Sequence, residues 1–239
     1  MLLENPGAII ENTYRYDYLK EYFDQSKYSD GRLLDLGCGP RPYYDLYKDK
    51  FAKTIGADMA DLPFPKKGID IYCTATNVPL PDGSVDFILC TEVLQDMVEP
   101  NELMKEAFRL LKKGGTMILT TPYLVPIADG KWDNYRFTRY GLEYHLNKGN
   151  FDIQTIHPVS DVVGAGITLL VKPILRGWNV ISKLLHMKFI SKWYNPLLFV
   201  TVALPQILYV VLSPIPGIKQ ILKKFNYGPI GYITISHKK

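Results

Sequence analysis

One short stretch near position 35 carries the residue types best suited to chemistry. It reads Leu33-Leu34-Asp35-Leu36-Gly37-Cys38-Gly39-Pro40, so an apolar run ends in an acid and two glycines spaced two apart. Glycine accepts backbone torsions that other residues avoid, and it lets a ligand approach the main chain closely. The pyrophosphate-binding fingerprint G-x-G-x-x-G fails, because Pro42 stands at the third glycine position. The turn predicts a ligand site that does not cradle a pyrophosphate.

This stretch resembles the first motif of the class I S-adenosylmethionine-dependent methyltransferases, whose usual form is two hydrophobic residues followed by D-x-G-C-G. The resemblance implies that Asp35, Gly37, Cys38 and Gly39 border S-adenosylmethionine, with S-adenosylhomocysteine as the product. The physical chemistry agrees. This ligand carries a sulfonium and an ammonium group and no phosphate, so an acidic residue suits it and a lysine does not.

Four further segments match the family in the expected order. Asp58 ends the second apolar run about 20 residues after the glycines. A carboxylate at this position can accept hydrogen bonds from both ribose hydroxyls. Thr76–Phe87 resembles the family's LPFPDGSFD segment, Cys90–Leu94 resembles the motif after its fourth strand, and Leu111–Thr116 resembles its LKPGG turn. The resemblance covers roughly residues 30–160. Besides the residues of the glycine turn, it implies these cofactor-binding residues: Asp58, Met59, Ala75, Thr76, Cys90 and Thr91.

The sequence departs from the family pattern at two positions. Thr74 stands where an acid often bonds the adenine amine, so we expect this contact to come from Ala75, Thr76 or the main chain. Asp96 stands where a histidine often faces the methyl acceptor. Asp96 is either a catalytic base or a carboxylate at the start of a helix, and the sequence leaves both open.

The acceptor side of the predicted site follows the fifth strand. Trp132–Leu142 resembles a D-Y-x-R-[FY]-T-x-x-G-L stretch of a bacterial subset of these enzymes, many tied to glycan or small-molecule biosynthesis. Methyl transfer from a sulfonium is an in-line displacement, so these side chains would mainly align the acceptor. The alternative is a lid packed on tyrosines, with Arg136 paired to an acid. The expected substrate-binding residues are Tyr123, Trp132, Tyr135 and Arg136, with Asp129 nearby.

The elements that must position these residues alternate between strand and helix. Apolar runs predict strands over 32–36, 52–58, 68–73, 85–90, 116–121 and 151–157, with a last strand over 230–236. Helices are predicted over 12–27, 43–50, 99–112 and 138–146, with Lys113-Gly114-Gly115 as the cap of the third. This order predicts a Rossmann-like α/β fold, doubly wound and mainly parallel, with helices on both faces. The expected segments are a helical lead-in over 1–30, a core over 31–161, an insertion over 162–228 and a terminal strand over 229–239.

The C-terminal third has a different composition from the rest of the chain. Residues 162–239 hold ten basic and no acidic side chains, whereas residues 1–161 have a net charge of −6. Residues 194–218 contain no charge but include four prolines. Three interpretations stay open: a transmembrane span, a peripheral or re-entrant attachment with lysines at anionic headgroups, or an apolar cap or dimer interface. A single span conflicts with a return of the chain to the sheet as its last strand.

The predicted function is methyl transfer to a small-molecule, glycan or lipid-linked acceptor. The alternatives are a non-catalytic protein with the same fold and an NAD-dependent oxidoreductase, which the missing third glycine disfavours. The three cysteines lack any close pairing or metal-ligand spacing, which predicts reduced thiols and no zinc site. We expect a cytoplasmic protein that is peripheral on the inner face of the membrane, with no nucleic-acid partner and with possible oligomerisation through the C-terminal region.

Overall fold

The computed structural model describes residues 8–26, 28–61, 68–127, 132–184, 199–225 and 227–239. The chain divides into two compact units. The first, called the sheet unit below, comprises Tyr18–Tyr123, Ile127–His157 and Tyr232–Lys239. The second, called the helical unit, comprises Met1–Asp17, Leu124–Pro126 and Pro158–Gly231. The segment boundaries expected after residues 30, 161 and 228 stay predictions.

A seven-stranded sheet forms the centre of the sheet unit. Its strands are β1 (Tyr28–Leu36), β2 (Phe51–Asp58), β3 (Ile71–Tyr72), β4 (Val85–Thr91), β5 (Leu111–Pro122), β6 (Phe151–Val159) and β7 (Gly231–Lys238). They lie in the order β3-β2-β1-β4-β5-β7-β6. The pairs β1–β2, β1–β4, β2–β3 and β4–β5 are parallel. The predicted doubly wound α/β fold is confirmed, and the C-terminal segment joins the sheet between β5 and β6.

The strand order reverses beside β1. The chain runs outward from β1 to β2 and β3, and then returns to the other side of β1 with β4 and β5. Ligands of such sheets bind beyond the carboxyl ends of the strands near this reversal. The segments that leave β1, β2 and β4 are therefore the places where a site is expected.

Ten helical segments precede, connect or follow these strands in the described residues. The longer ones are α1 (Ile9–Gln25), α3 (Pro100–Leu110), α4 (Arg139–Lys148), α5 (Val162–Leu184) and α6 (Leu204–Leu212). The shorter ones are α2 (Tyr44–Tyr47), α7 (Pro216–Leu222), 3-10 turns at Leu94–Asp96 and Lys223–Phe225, and a π-helical turn at Phe199–Ala203. Helix α4 begins where Thr138 accepts a hydrogen bond from the Gly141 amide at 3.1 Å, a side-chain cap.

The core of the sheet unit explains why its central strands are long apolar runs. Strands β4 and β5 are buried along most of their length, as expected for parallel strands covered on both faces. Phe87 of β4 is fully buried, and its ring lies 5.4–5.6 Å from the rings of Phe23, Tyr28 and Phe51. This aromatic cluster fixes β1, β2 and β4 against helix α1.

The glycine pair after α3 does not cap the helix as predicted. Helix α3 ends at Leu110, and Leu111 is already extended, with ψ 141°. Strand β5 therefore begins at Leu111, and Gly114 and Gly115 lie inside it. The pairing with β4 shifts register between Leu111 and Thr116, and Gly114 has φ +74°. The glycines form part of a β-bulge at the start of β5. Helical periodicity alone does not reveal this role.

The third strand is shorter than predicted because a side chain replaces part of its ladder. Asp70 donates its amide to the Gly56 carbonyl at 2.8 Å, and the Asp70 carboxylate accepts the Gly56 amide at 2.7 Å. Residues 71–72 alone pair with β2 as a regular strand. The carboxylate thus extends the edge of the sheet by one position without regular strand geometry.

The helical unit is built around a small apolar cluster of Ile10, Ala165, Tyr209 and Ile230. Asp161 starts helix α5, because its carboxylate accepts the amides of Val163 and Gly164 at 2.9 and 3.1 Å. In the described ranges, no single helix has the length and hydropathy to cross a bilayer. One bent pair of segments, Val200–Leu212 and Pro216–Leu222, passes the same test jointly with an angle of 105°.

Candidate functional site

The first glycine of the motif is held between the strands on both sides of β1. Gly37 has φ +70°, and its amide donates to the Ala57 carbonyl of β2 at 2.8 Å. A Cβ atom at Gly37 would lie 2.2 Å from Cγ2 of Val93, which follows β4. The torsion and the close approach both require glycine here.

The acid that ends β2 binds the glycine turn directly. The Asp58 carboxylate accepts the amide of Gly39 at 2.6 Å through Oδ2 and the amide of Met59 at 2.7 Å through Oδ1. A carboxylate has about four lone-pair positions, so both oxygens retain acceptor capacity. Gly39 has φ +50°, and a Cβ atom there would meet nothing within 4 Å. The structure thus brings Asp35, Asp58 and the glycine turn together at the carboxyl ends of β1 and β2.

Asp35 is buried beneath this turn in a hydrogen-bond network that the sequence did not suggest. The Tyr47 hydroxyl donates to Asp35 Oδ2, and Arg41 Nε donates to the Tyr47 oxygen at 3.1 Å. Arg41 Nη1 also pairs with Asp70 at 3.2 Å. Burial raises the pKa of Asp35 to about 6, against the opposing influence of Tyr47 and Arg41. The acid of the motif is therefore poised to respond to a cation placed nearby.

Two of the predicted cofactor-binding residues are buried thiols. Cys38 is 3% exposed, and burial raises the pKa of its thiol to about 12. Cys90 is fully buried, and burial raises its pKa as well. All three cysteines are free. Cys38 and Cys90 are neutral packing residues at neutral pH rather than nucleophiles.

A tight turn after β3 lies next to the end of β2. The Cys73 amide donates to the Asp58 carbonyl at 2.9 Å, and the Asn77 amide closes the turn on the Thr74 carbonyl at 3.1 Å. Ala75 packs on the core, and Thr76 is exposed. The structure thus places Ala75 and Thr76 beside the Asp58 end of the site, where an adenine contact was predicted.

The segment after β4 has an unusual backbone. Thr91 ends the strand, and Glu92 adopts φ +56°, which is uncommon for a residue other than glycine. Its amide donates to the Thr120 carbonyl at 3.1 Å, and the Thr120 hydroxyl donates to Glu92 Oε1 at 2.9 Å. A local strain held by a neighbouring strand is typical of functional segments. Glu92 and Thr120 were not singled out from the sequence.

The predicted acceptor segment lies on the 3-10 turn that contains Asp96. The amides of Asn134 and Tyr135 both donate to the Gln95 carbonyl, at 3.0 and 2.9 Å. The Asn134 side chain donates to the Asp96 carbonyl at 2.9 Å, and the Tyr135 hydroxyl donates to the Val98 carbonyl at 3.0 Å. The structure thereby brings Asp96, Trp132, Tyr135 and Arg136 to one side of the strand ends. Asp129 lies outside the described residues.

Arg136 forms the ion pair that the lid interpretation requires. Its guanidinium donates to both carboxylate oxygens of Asp133, with 2.6 Å between Nη2 and Oδ2, and this bond is the main cause of the raised Arg136 pKa. The Asp133 side chain is only 4% exposed. Glu92 and Asp96 also attract this guanidinium electrostatically. A substrate-binding role for Arg136 stays a prediction, since its first partner belongs to the protein.

Tyr123, predicted to bind the acceptor, follows β5 and packs on the last strand. Its ring lies 5.9 Å from the ring of Tyr232. Trp132 and Tyr135 are 41% and 40% exposed, so their rings keep surface that a ligand can cover. Within the described ranges, no group of three potential metal ligands occurs.

Part of the sheet unit that holds this site is similar to a known domain family. Residues 34–119, which run from β1 through most of β5, match a family described as a methyltransferase domain. A Mycolicibacterium smegmatis protein named "Probable S-adenosylmethionine-dependent methyltransferase/" is 27% identical over 135 residues, which are 53% of this chain and 52% of that protein. The chain thus spans about half the length of this relative.

Two further comparisons extend beyond that segment. The ubiquinone biosynthesis O-methyltransferase of Pseudomonas fluorescens is 24% identical over 180 residues, 70% of this chain and 69% of that protein. Among solved structures, the [4+2]-cyclase SpnF matches with a TM-score of 0.56 and 19% identity over 93% of this chain and 80% of that one. At such low identity, the likeness to a solved structure shows the fold alone.

The two glycines of the turn give a matched pair of substitutions. Gly37→Ala forces both a left-handed torsion and a clash with Val93, so we expect it to lower the free energy of unfolding by more than about 2 kcal/mol. Gly39→Ala meets no protein atom, so we expect a loss of only about 1 kcal/mol. Its methyl group instead enters the space proposed for a ligand. Urea unfolding measures both, and equal losses would contradict this assignment.

Proposed function

We propose that this chain, which belongs to the class I S-adenosylmethionine-dependent methyltransferases, transfers the methyl group of that cofactor to a small-molecule acceptor. The observation that carries the proposal is the contact between Asp58 and the Gly39 amide. It fixes the acid of β2 against the glycine turn of β1 at the point where the strand order reverses. A nucleoside with a free ribose and no phosphate matches that arrangement.

The residues of the site fit this cofactor at three points. Asp58 retains lone pairs for two ribose hydroxyls after its bonds to Gly39 and Met59. The space beyond Gly39 is open, so an adenosyl group can lie against the main chain. Arg41 Nη2 is buried and has no hydrogen-bond partner in the described part of the chain, which leaves a donor for a carboxylate.

The chain's own groups contribute mainly by alignment and electrostatics. A sulfonium cofactor supplies an activated methyl carbon, and an acceptor needs only to be held in line with it. Asp35 provides negative charge beneath the turn, and the 132–136 segment borders the acceptor side. Asp96 is either a general base or a structural carboxylate. The Gln95 side-chain amide donates a hydrogen bond to Asp96 Oδ2 at 3.4 Å. A base is required only when the acceptor must lose a proton.

A small-molecule acceptor is the class supported by the relatives. One relative is named for O-methylation in ubiquinone biosynthesis, and that name concerns a small molecule. Glycan and lipid-linked acceptors remain alternatives for the same acceptor face. We also propose the cytoplasm as the compartment, supported by three cysteines that are all free.

A second candidate is a protein that uses this fold without methyl transfer. The likeness to a structure named as a [4+2]-cyclase supports keeping it, because one fold can carry different activities. The two candidates differ in turnover. A methyltransferase converts bound S-adenosylmethionine to S-adenosylhomocysteine when an acceptor is present. The second candidate binds S-adenosylmethionine but does not convert it.

The direct test is calorimetric titration with S-adenosylmethionine and S-adenosylhomocysteine. We expect Asp58→Ala to weaken both affinities about 10- to 100-fold, because it removes charge-assisted hydrogen bonds to the ribose. Asp49→Ala, at an exposed position after α2, is the control and should bind like the wild type. A folded wild type that binds neither compound would refute the proposal. Binding without release of S-adenosylhomocysteine across a panel of phenols, glycans and lipid-linked sugars would favour the second candidate.

Asp35 makes cofactor affinity depend on pH. Burial raises its pKa to about 6, and a bound cation favours the ionised form, so protonation opposes binding. We expect affinity to be constant above neutral pH and to fall as the pH drops below about 6, by up to about tenfold per pH unit. Titration calorimetry of wild type and Asp35→Asn checks this. The same decline in the Asp35→Asn variant would contradict this role of Asp35.

A further inference from the structure

We propose that the helical unit docks on an anionic lipid surface through the outer faces of α5, α6 and α7. This inference does not depend on methyl transfer. The contact is assigned to particular side chains from the faces that α5 and α6 leave exposed, together with α7, of which no residue is buried.

Helix α6 has its polar residues inside and its apolar residues outside. Gln206 is fully buried, Tyr209 is 7% exposed, and Ser213 just after the helix is also buried. On the opposite side, Leu208 and Val211 are 49% and 61% exposed. A helix on the surface of a protein in water normally shows the reverse arrangement. An outward aliphatic face with an inward polar face is expected where the surroundings are themselves apolar.

The inward polar residues of α6 are bonded, so this orientation is built into the unit. Gln206 accepts the Ile9 amide at 3.1 Å. The Tyr209 hydroxyl donates to Asp161 at 2.8 Å, and the hydroxyls of Ser213 and Tyr14 lie 2.7 Å apart. Rotating the helix to bury its aliphatic face would break all of these bonds. The outward apolar face is therefore a fixed feature of the fold.

Helix α5 presents a second apolar face. Val163, Leu170 and Ile174 lie seven and four residues apart, which places them on one stripe, and they are 40%, 70% and 44% exposed. The buried side of the same helix holds Ala165, Thr168 and Val171. Three branched aliphatic side chains of this helix thus face the surroundings of the helical unit.

The bend between α6 and α7 suits shallow insertion. The segments Val200–Leu212 and Pro216–Leu222 meet at 105°, and Leu212 and Ile215 at this bend are 43% and 45% exposed. A bent apolar pair can dip into the interface and return on the same side of a bilayer. Such a return is compatible with a chain that goes on to β7.

Charge favours lipid over a second copy of the chain. Residues 162–239 carry ten basic and no acidic side chains. Lys219, Lys223 and Lys224 are exposed in and directly after α7, next to the exposed apolar turn. Aliphatic side chains flanked by lysines match acyl chains flanked by anionic headgroups. Two copies meeting through this face would bring basic residues together.

The test is flotation of the full chain with phosphatidylcholine vesicles, with and without added phosphatidylglycerol. We expect the wild type to float with the anionic vesicles and to be released as salt is raised. The double variant Val211→Glu, Leu212→Glu should bind at least about tenfold more weakly, since it places charge on the inserted face. The matched control Tyr140→Glu changes an exposed residue of the sheet unit and should float like the wild type.

A second variant tests the lysines, and measurements of oligomeric state and Tm without lipid test the other possible occupants of this face. Replacing Lys219, Lys223 and Lys224 by glutamine should remove the preference for anionic vesicles without changing the Tm. The proposal is overturned if the wild type does not float, or if the double variant floats equally well. A wild-type dimer that becomes monomeric in the double variant would assign the face to a second copy. A lower Tm of the double variant without vesicles would assign it to a covering segment of this chain.

Discussion

The turn Gly37–Gly39 is confined by the strands on both sides of β1, and the site is organised around that confinement. On one side, the Ala57 carbonyl of β2 accepts the Gly37 amide. On the other, Val93 after β4 approaches so closely that any side chain at Gly37 would overlap it. Asp58 then accepts the Gly39 amide. Because the strand order reverses here, the ends of three neighbouring strands converge on three residues of main chain.

Much of this arrangement could be predicted from the sequence, because its causes are local. The spacing of Gly37 and Gly39 indicated a turn that a ligand can approach, and Asp58 followed at the distance of the next strand end. The alternation of apolar runs gave the doubly wound sheet, including the return of the last strand. Burial on both faces makes β4 and β5 continuous apolar runs, and such runs are easy to recognise.

The features that could not be predicted from the sequence depend on contacts between residues far apart in the chain. The Tyr47 hydroxyl that donates to Asp35, and the Glu92 torsion held by Thr120, leave no periodic signal in the sequence. The bulge at Gly114 was mistaken for a helix cap, since a glycine serves either purpose and only pairing with β4 decides. The orientation of α6, with its polar face inward, likewise could not be predicted from the sequence. Hydropathy identifies an apolar helix, but only the partners of Gln206 and Tyr209 show which side is buried.

The proposed role of Asp58 and the glycine turn is to hold the adenosyl end of the cofactor. A crystal structure of the full chain grown with saturating S-adenosylhomocysteine tests it most directly. We expect both ribose hydroxyls within hydrogen-bond distance of the Asp58 carboxylate, with the adenosyl group lying against the main chain at Gly37–Gly39. S-adenosylhomocysteine bound elsewhere, or a turn that remains empty at saturation, would contradict it.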